Sequence, residues 1–264
     1  MKPADAPKSF LMDMTWQEFR QAVGPRTVAV IPLGSAELEG THLPVGVDTI
    51  AAEGLAQRLA GLENVIIAPT IPIGYSKWFL PYPGTISLEQ GTLVSLLRDY
   101  CRSLIRHGIG RIVFLNSHRG NDAAIEVTAH SLIDAHQTKV GMINLWKLAN
   151  DLIQGKDLIA EGRFTHAGEI MTSVIMALRP ETVVRREIKA DKVKSPAGSA
   201  FRCRNSLGDA ELNGAVQTVY RDIRDITDTG IMGDPSAASA EKGQRVLELL
   251  AAYTRQYLSE FAKL

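Results

Sequence analysis

Short apolar runs that end at Gly, Pro or Asn alternate with longer stretches in which apolar residues recur every three to four positions. The runs at 27–32, 65–69, 111–115 and 139–144 have the length and β-branched content of buried strands. Helical stretches lie between them at 49–60, 89–107 and 123–136, the second with Leu93, Leu96, Leu97, Tyr100 and Leu104 on one face. A short helix opens at Thr15, which with Glu18 makes a capping-box pattern. A terminal helix spans 239–264, with Val246, Leu249, Leu250, Tyr253 and Tyr257 as its core stripe. This strand–helix alternation predicts an α/β fold, a parallel sheet with helices on its faces. Ligands of such folds bind beyond the carboxyl ends of the strands. The segment 187–217 lacks periodicity, and 227–235 is turn-forming. No repeat, linker or low-complexity tract divides the chain, so one domain over 1–264 is expected.

Composition mainly excludes. Lys plus Arg and Asp plus Glu both number 29, so no net field draws the chain to nucleic acid or an anionic membrane. Lys and Arg scattered between 185 and 204 read as a solvated or subunit-facing segment. Cys101 and Cys203 sit apart with no motif around them, as incidental thiols of a reducing compartment do. Residues 1–7 hold no apolar core of signal-peptide length, and no later segment reaches transmembrane length. A soluble, cytoplasmic protein with no nucleic-acid or membrane partner is expected.

The candidate chemistry lies in three loops. The first strand breaks at Pro32 and Gly34 into a loop carrying Glu37, Glu39, His42 and Asp48. If that loop is extended, Glu37 and Glu39 project to one side, and adjacent carboxylates repel unless a cation or a proton lies between them. The other reading is a solvated loop in which Asp48 caps the following helix; this stretch alone leaves both open. The strand at 111–115 runs directly into Asn116, Ser117, His118 and Arg119, so this loop leaves the same edge of the sheet and can meet the first. Thr165 can cap a helix that continues to Arg179, with His166 and Glu169 on one face of its first turn. Carboxylates with one or two imidazoles suit Zn²⁺, Mn²⁺ or Fe²⁺, as one ion or as two sharing a carboxylate. The aromatic, Gly- and Pro-rich loop 71–85 either walls a pocket or plugs the sheet. Its Tyr75, Ser76 and Trp78, with Arg119, are the candidate substrate contacts. His107, His130 and His136 fall on helices as surface or packing residues, and His42 as a residue that orients a ligand.

These motifs, in this order, resemble the creatininase (creatinine amidohydrolase) family. The residues that carry the resemblance are the loop from Leu33 to Pro44 with Asp48, the run from Asn116 to Asn121, the run from His166 to Glu169, the stretch from Phe79 to Leu88, and Gly233, Asp234 and Pro235. The resemblance implies a three-layer α/β/α sandwich with a mostly parallel sheet, a homo-oligomer that is commonly a hexamer, and one or two divalent ions per chain. Zn or Mn is implied, with Fe as a further candidate. Glu37, Asp48 and His118 match family ligands, with Asp48 as the bridge. Glu39 stands where the family usually has a metal-binding histidine. Either it ligates and turns the site toward oxygen-preferring ions such as Mn²⁺, or the second metal is lost. Gly120 stands where creatininase has a glutamate ligand, and Glu169 is the hypothesised substitute. His166 matches a histidine that passes a proton to the leaving group. Met171 and the Lys77–Trp78 stretch also depart from family pocket residues, which argues against creatinine itself as substrate.

The implied function is a metal-dependent hydrolase in which metal-activated hydroxide attacks the carbonyl, of amide C–N type, of a small cyclic molecule. Two alternatives stand beside it: ring opening of a cyclic keto-sugar or keto-inositol, and a metal-poor relative that binds a small molecule without hydrolysing it.

Overall fold

Strands β1 (Val28–Leu33), β2 (Val65–Ile67), β3 (Arg111–Asn116) and β4 (Lys139–Asn144) pair in parallel in the order β2-β1-β3-β4. The computed structural model describes residues 8–205 and 208–264; the N-terminal stretch read above for a signal sequence lies outside them. β1 and β3 are buried almost throughout because both faces of the sheet are covered. Alternate side chains sort into two cores. Val28, Val30, Val113 and Leu115 pack on one side against α2 (Val47–Gln57), α5 (Leu145–Ile153), α6 (Glu169–Leu178) and α7 (Ala240–Phe261). Ala29, Ile31, Leu33, Ile112 and Phe114 pack on the other against α3 (Gln90–Arg106) and α4 (Asp122–His136). The period-2 pleat thus builds the expected three-layer α/β/α sandwich.

The short helix α1 (Trp16–Ala22) carries the expected capping box, with Thr15 and Glu18 each bonding the other's backbone N–H. Both cysteines are free thiols. Among the described residues no helix is long and apolar enough to cross a membrane.

The structure corrects the sequence reading in several places. Leu96 is 37% exposed, so the buried stripe of α3 is Leu93, Leu97, Cys101 and Leu104. On α7 the stripe is turned by one position: Val246, Leu247, Leu250, Ala251 and Leu258 are buried, Leu249 is half-buried and Tyr253 is 43% exposed. Helix α5 was not expected. It starts directly at the end of β4, with Asn144 as an N-cap accepting from Lys147 N, so no turn residue marks the boundary. The aperiodic segment holds a small antiparallel sheet of β5 (Arg202–Cys203), β6 (Asp209–Leu212) and β7 (Ala215–Thr218), mostly exposed and so without a hydrophobic pattern to read.

The two positions on α7 give a direct check. Leu250→Ala is expected to cost about 2–5 kcal/mol and Tyr253→Ala about 0.5 kcal/mol, as measured by urea unfolding of the two variants.

Candidate metal centre

β1 and β3 end level with each other, Leu33 opposite Asn116, and Asn116 in turn lies opposite Asn144 of β4. The loops beginning at Gly34 and Ser117 and the start of α5 therefore leave the sheet at one place. Gly34 lets the first loop press onto α2: a Cβ there would lie 2.5 Å from Thr49 Cα. Buried Asn121 ties three loops together. It accepts from Tyr75 N at 3.0 Å and donates to the Gly34 carbonyl at 3.0 Å and to Asn116 Oδ1 at 3.2 Å.

This frame brings together three carboxylates that are almost sealed from water: Glu37 and Asp48 are each 2% exposed and Glu39 is 1% exposed. Two triplets of ligand atoms, each within 4.8 Å of one another, result: Glu37, Asp48 and His118, and Glu37, Glu39 and His166. Glu37 is the member common to both, where the resemblance implied Asp48 as the bridge. Asp48 is the most firmly held of the three. Trp146 Nε1 donates to Oδ1 and Ser35 Oγ to Oδ2, each at 2.7 Å. It sits in the first turn of α2 rather than at its N-cap, which is Gly46.

Each imidazole is held from behind by a backbone carbonyl. His118 Nε2 donates to Tyr75 O at 2.8 Å, which turns Nδ1 toward Asp48 Oδ2, 3.1 Å away. His166 Nδ1 donates to Gly230 O at 2.8 Å, which leaves Nε2 facing Glu39 at 3.4 Å and Glu37 at 3.6 Å. One 3₁₀ turn, Lys77–Phe79, stacks against both rings: Trp78 on His118 with centroids 6.1 Å apart, Phe79 on His166 at 5.0 Å.

Burial, reinforced by Asp48 and Glu37, raises the Glu39 carboxyl well above its ordinary 4.5. Burial also disfavours a charged His118, but Glu37 and the hydrogen-bonded Asp48 outweigh it and carry the ring up to about 9. Both shifts have one origin, negative charge collected where water cannot screen it.

Several expected site residues lie elsewhere. Glu169 does not reach the centre: its carboxylate pairs with Lys242 and accepts from Glu161 N. The helix begins at Glu169 itself, with Gly168 as N-cap, and Ala167 just before it has φ of +52°. That left-handed residue swings His166 into the cavity and Glu169 away from it. Thr165 is not the cap; its hydroxyl donates to Glu161. Trp78 and Arg119 line the cavity, whereas Tyr75 and Ser76 stand behind His118. His42 is fully buried and bonds Thr172 at 2.8 Å, not a site carboxylate; burial pulls it down to about 4. Trp146, Phe79, Ser35 and Gly230 were not foreseen, since each acts through a contact distant in sequence. Gly120 cannot bear a side chain here: a Cβ would lie 2.2 Å from Tyr75 O and 2.3 Å from His118 Nε2.

The family model described as creatininase, creatinine amidohydrolase, matches residues 12–258. A mycofactocin precursor peptide peptidase of Mycobacterium tuberculosis is 30% identical over 227 residues, 82% of this chain and 78% of its own. A 3-dehydro-scyllo-inosose hydrolase of Thermotoga maritima is 25% identical over 265 residues, 95% of this chain and 83% of its own. A solved manganese form of creatininase superposes with a TM-score of 0.74 at 25% identity, over 96% of this chain and 98% of its own. These relatives share hydrolysis and differ in what they hydrolyse. The match in motif order, fold and nearly full length has one conclusion: the chain belongs to the creatininase family of hydrolases.

Proposed function

We propose that this hydrolase cleaves an amide-type C–N bond with one divalent ion held by Glu37, Asp48 and His118, and with His166 as its proton carrier. The supporting observation is a set of buried atoms without hydrogen-bond partners: Glu37 Oε2, both Glu39 oxygens and His166 Nε2. Buried polar atoms are rarely left so, and here they gather in the Glu37, Glu39 and His166 triplet, which shares Glu37 with the proposed ligand set. The donor set therefore fits a cation. Its richness in carboxylate favours Mn²⁺ over softer ions. Such an ion, when bound, polarises a carbonyl and makes water a nucleophile near neutral pH.

The chain's own residues supply the rest. Trp146 and Ser35 occupy both Asp48 oxygens and keep the carboxylate from rotating away. Gly230 O retains the Nδ1 proton of His166, so Nε2 is the basic nitrogen. It takes the proton of the attacking water and delivers it to the departing nitrogen. Phe79 and Trp78 fix the planes of the two imidazoles and form an apolar wall beside them.

A second reading, opening of a cyclic keto-sugar, is favoured by the inosose hydrolase that matches 95% of the chain; it needs the same nucleophile and proton carrier. The non-catalytic alternative has less support, because the orphaned donor atoms are enclosed together rather than dispersed. Turnover of a panel of formamides, cyclic amides and keto-inositols decides between the two hydrolytic readings.

Asp48→Ala is expected to lose the ion, by elemental mass spectrometry, together with turnover. His166→Ala should keep the ion and lower kcat by about 10²–10⁴-fold. Full metal content in the Asp48→Ala protein would overturn the ligand assignment. A pH dependence also follows. His118 is raised from 6.5 to about 9, so the folded state binds that proton more tightly than the unfolded chain does. The resulting stability is complete below pH 6.5 and is lost as pH rises through 9. Glu39, also raised, acts in the same direction. The Tm of chelator-treated protein should fall between pH 6.5 and 9, and saturating Mn²⁺ should remove that fall; a rising Tm would contradict the charge balance described.

A further inference from the structure

The cavity over the metal centre is larger, and more basic at its mouth, than a small neutral ring requires. Its volume is about 630 Å³, room for about twenty groups at roughly 30 Å³ per water-sized group. Its charges are sorted by depth. Glu37, Glu39 and Asp48 form a buried floor, whereas Arg119, Lys147, Arg163 and Arg204 line the same cavity and are exposed.

Two of those cations are already paired, Lys147 with Asp151 and Arg204 with Glu211. Among the described residues Arg119 and Arg163 form neither an ion pair nor a side-chain hydrogen bond. The carboxylates nearer the mouth are engaged. Asp122, which feels the field of Arg119, accepts from Asn116 and Asn144, and Asp209 accepts from Asn205. Arg119 comes from the loop after β3 and Arg163 from the loop ahead of α6, so two unpaired guanidiniums reach one cavity from separate segments. A planar guanidinium fork matches the oxygens of carboxylate or phosphate, and does so best where no protein acid competes. Between rim and floor the wall is aromatic: Trp146 and Phe164 stack at 5.7 Å, and Trp78 offers a buried Nε1 donor without a partner.

We propose that the substrate carries a carboxylate or phosphate group held by Arg119 and Arg163, while its hydrolysable bond reaches the floor of the cavity. This rests on the hydrolase reading of the centre and adds the substrate class to it. An uncharged substrate would leave both guanidiniums unused.

The test is calorimetric titration of the metal-loaded whole chain with three probes: N-formylglycine, neutral N-formylglycinamide and N-formylaminomethylphosphonate. The anionic probes should bind at least about tenfold tighter than the neutral one, given the usual strength of hydrogen bonds to charged groups, and the gap should narrow as salt is raised. The tighter of the two anions identifies which oxyanion the rim prefers. Arg119→Gln and Arg163→Gln should each weaken anion binding about tenfold with metal content unchanged. Arg163→Lys, which keeps the charge and loses the fork, should fall between. Equal binding of charged and neutral probes, anion binding indifferent to both Gln substitutions, or no binding of either anion at millimolar concentration would overturn the proposal. Loss of anion preference with metal retained overturns this inference alone. A chain that holds no divalent ion yet keeps Arg-dependent anion binding overturns the hydrolase reading of the centre and leaves the anion site standing.

Discussion

Three carboxylates sealed under one cavity are the constraint to which the rest of the structure answers. Two like charges about 4 Å apart repel by about 4 kcal/mol at an effective dielectric of about 20, and a whole domain is stable by only about 5–15 kcal/mol. Glu37 lies in one triplet with Glu39 and in another with Asp48, each spanning at most 4.8 Å, so the repulsion is a large fraction of what the fold can tolerate. The surroundings offset part of it. Two donors hold Asp48, and two imidazoles face the acids. The remainder falls on Glu39, whose oxygens have no donor at all. A divalent cation balances this arrangement; without one, retained protons must, and that is what the raised Glu39 and His118 express.

The glycine at 120 shapes the His118 side of the site. With glycine at 120, the Tyr75 carbonyl and the His118 ring close to 2.8 Å over the space a side chain would need. That contact sets which nitrogen of His118 faces Asp48.

How much of this the sequence could show depends on the range of the interaction. β1 and β3 were legible because a strand buried on both faces writes an unbroken apolar run. Glu37 and His118 were legible because they follow those strands within a few residues, and strand ends in a parallel sheet coincide. Glu169 was misplaced because spacing of three on a helix assumes that the helix has begun, and the left-handed Ala167 delays it to Glu169 itself. Trp146 and Gly230 left no trace, since their partners are 98 and 64 residues away. The α7 stripe was read one position off because Tyr253 and Leu249 fit the same 3.6-residue period as the true face. The mouth of the cavity was invisible too, because Arg163 and Arg204 sit in segments with no periodic signal.

The sorting of charge by depth has a consequence for substrate approach. With no cation present, any floor acid that is ionised sets a negative field behind the positive rim, and an anion caught at the rim is repelled from the reacting end. A divalent cation would cancel two of the three acid charges and so weaken that repulsion. Burial makes the change count, because acids only 1–2% exposed are little screened by salt. The acids that make the empty floor costly are therefore the ones whose neutralisation by a cation would let an anionic substrate, of the kind proposed, approach the reacting end.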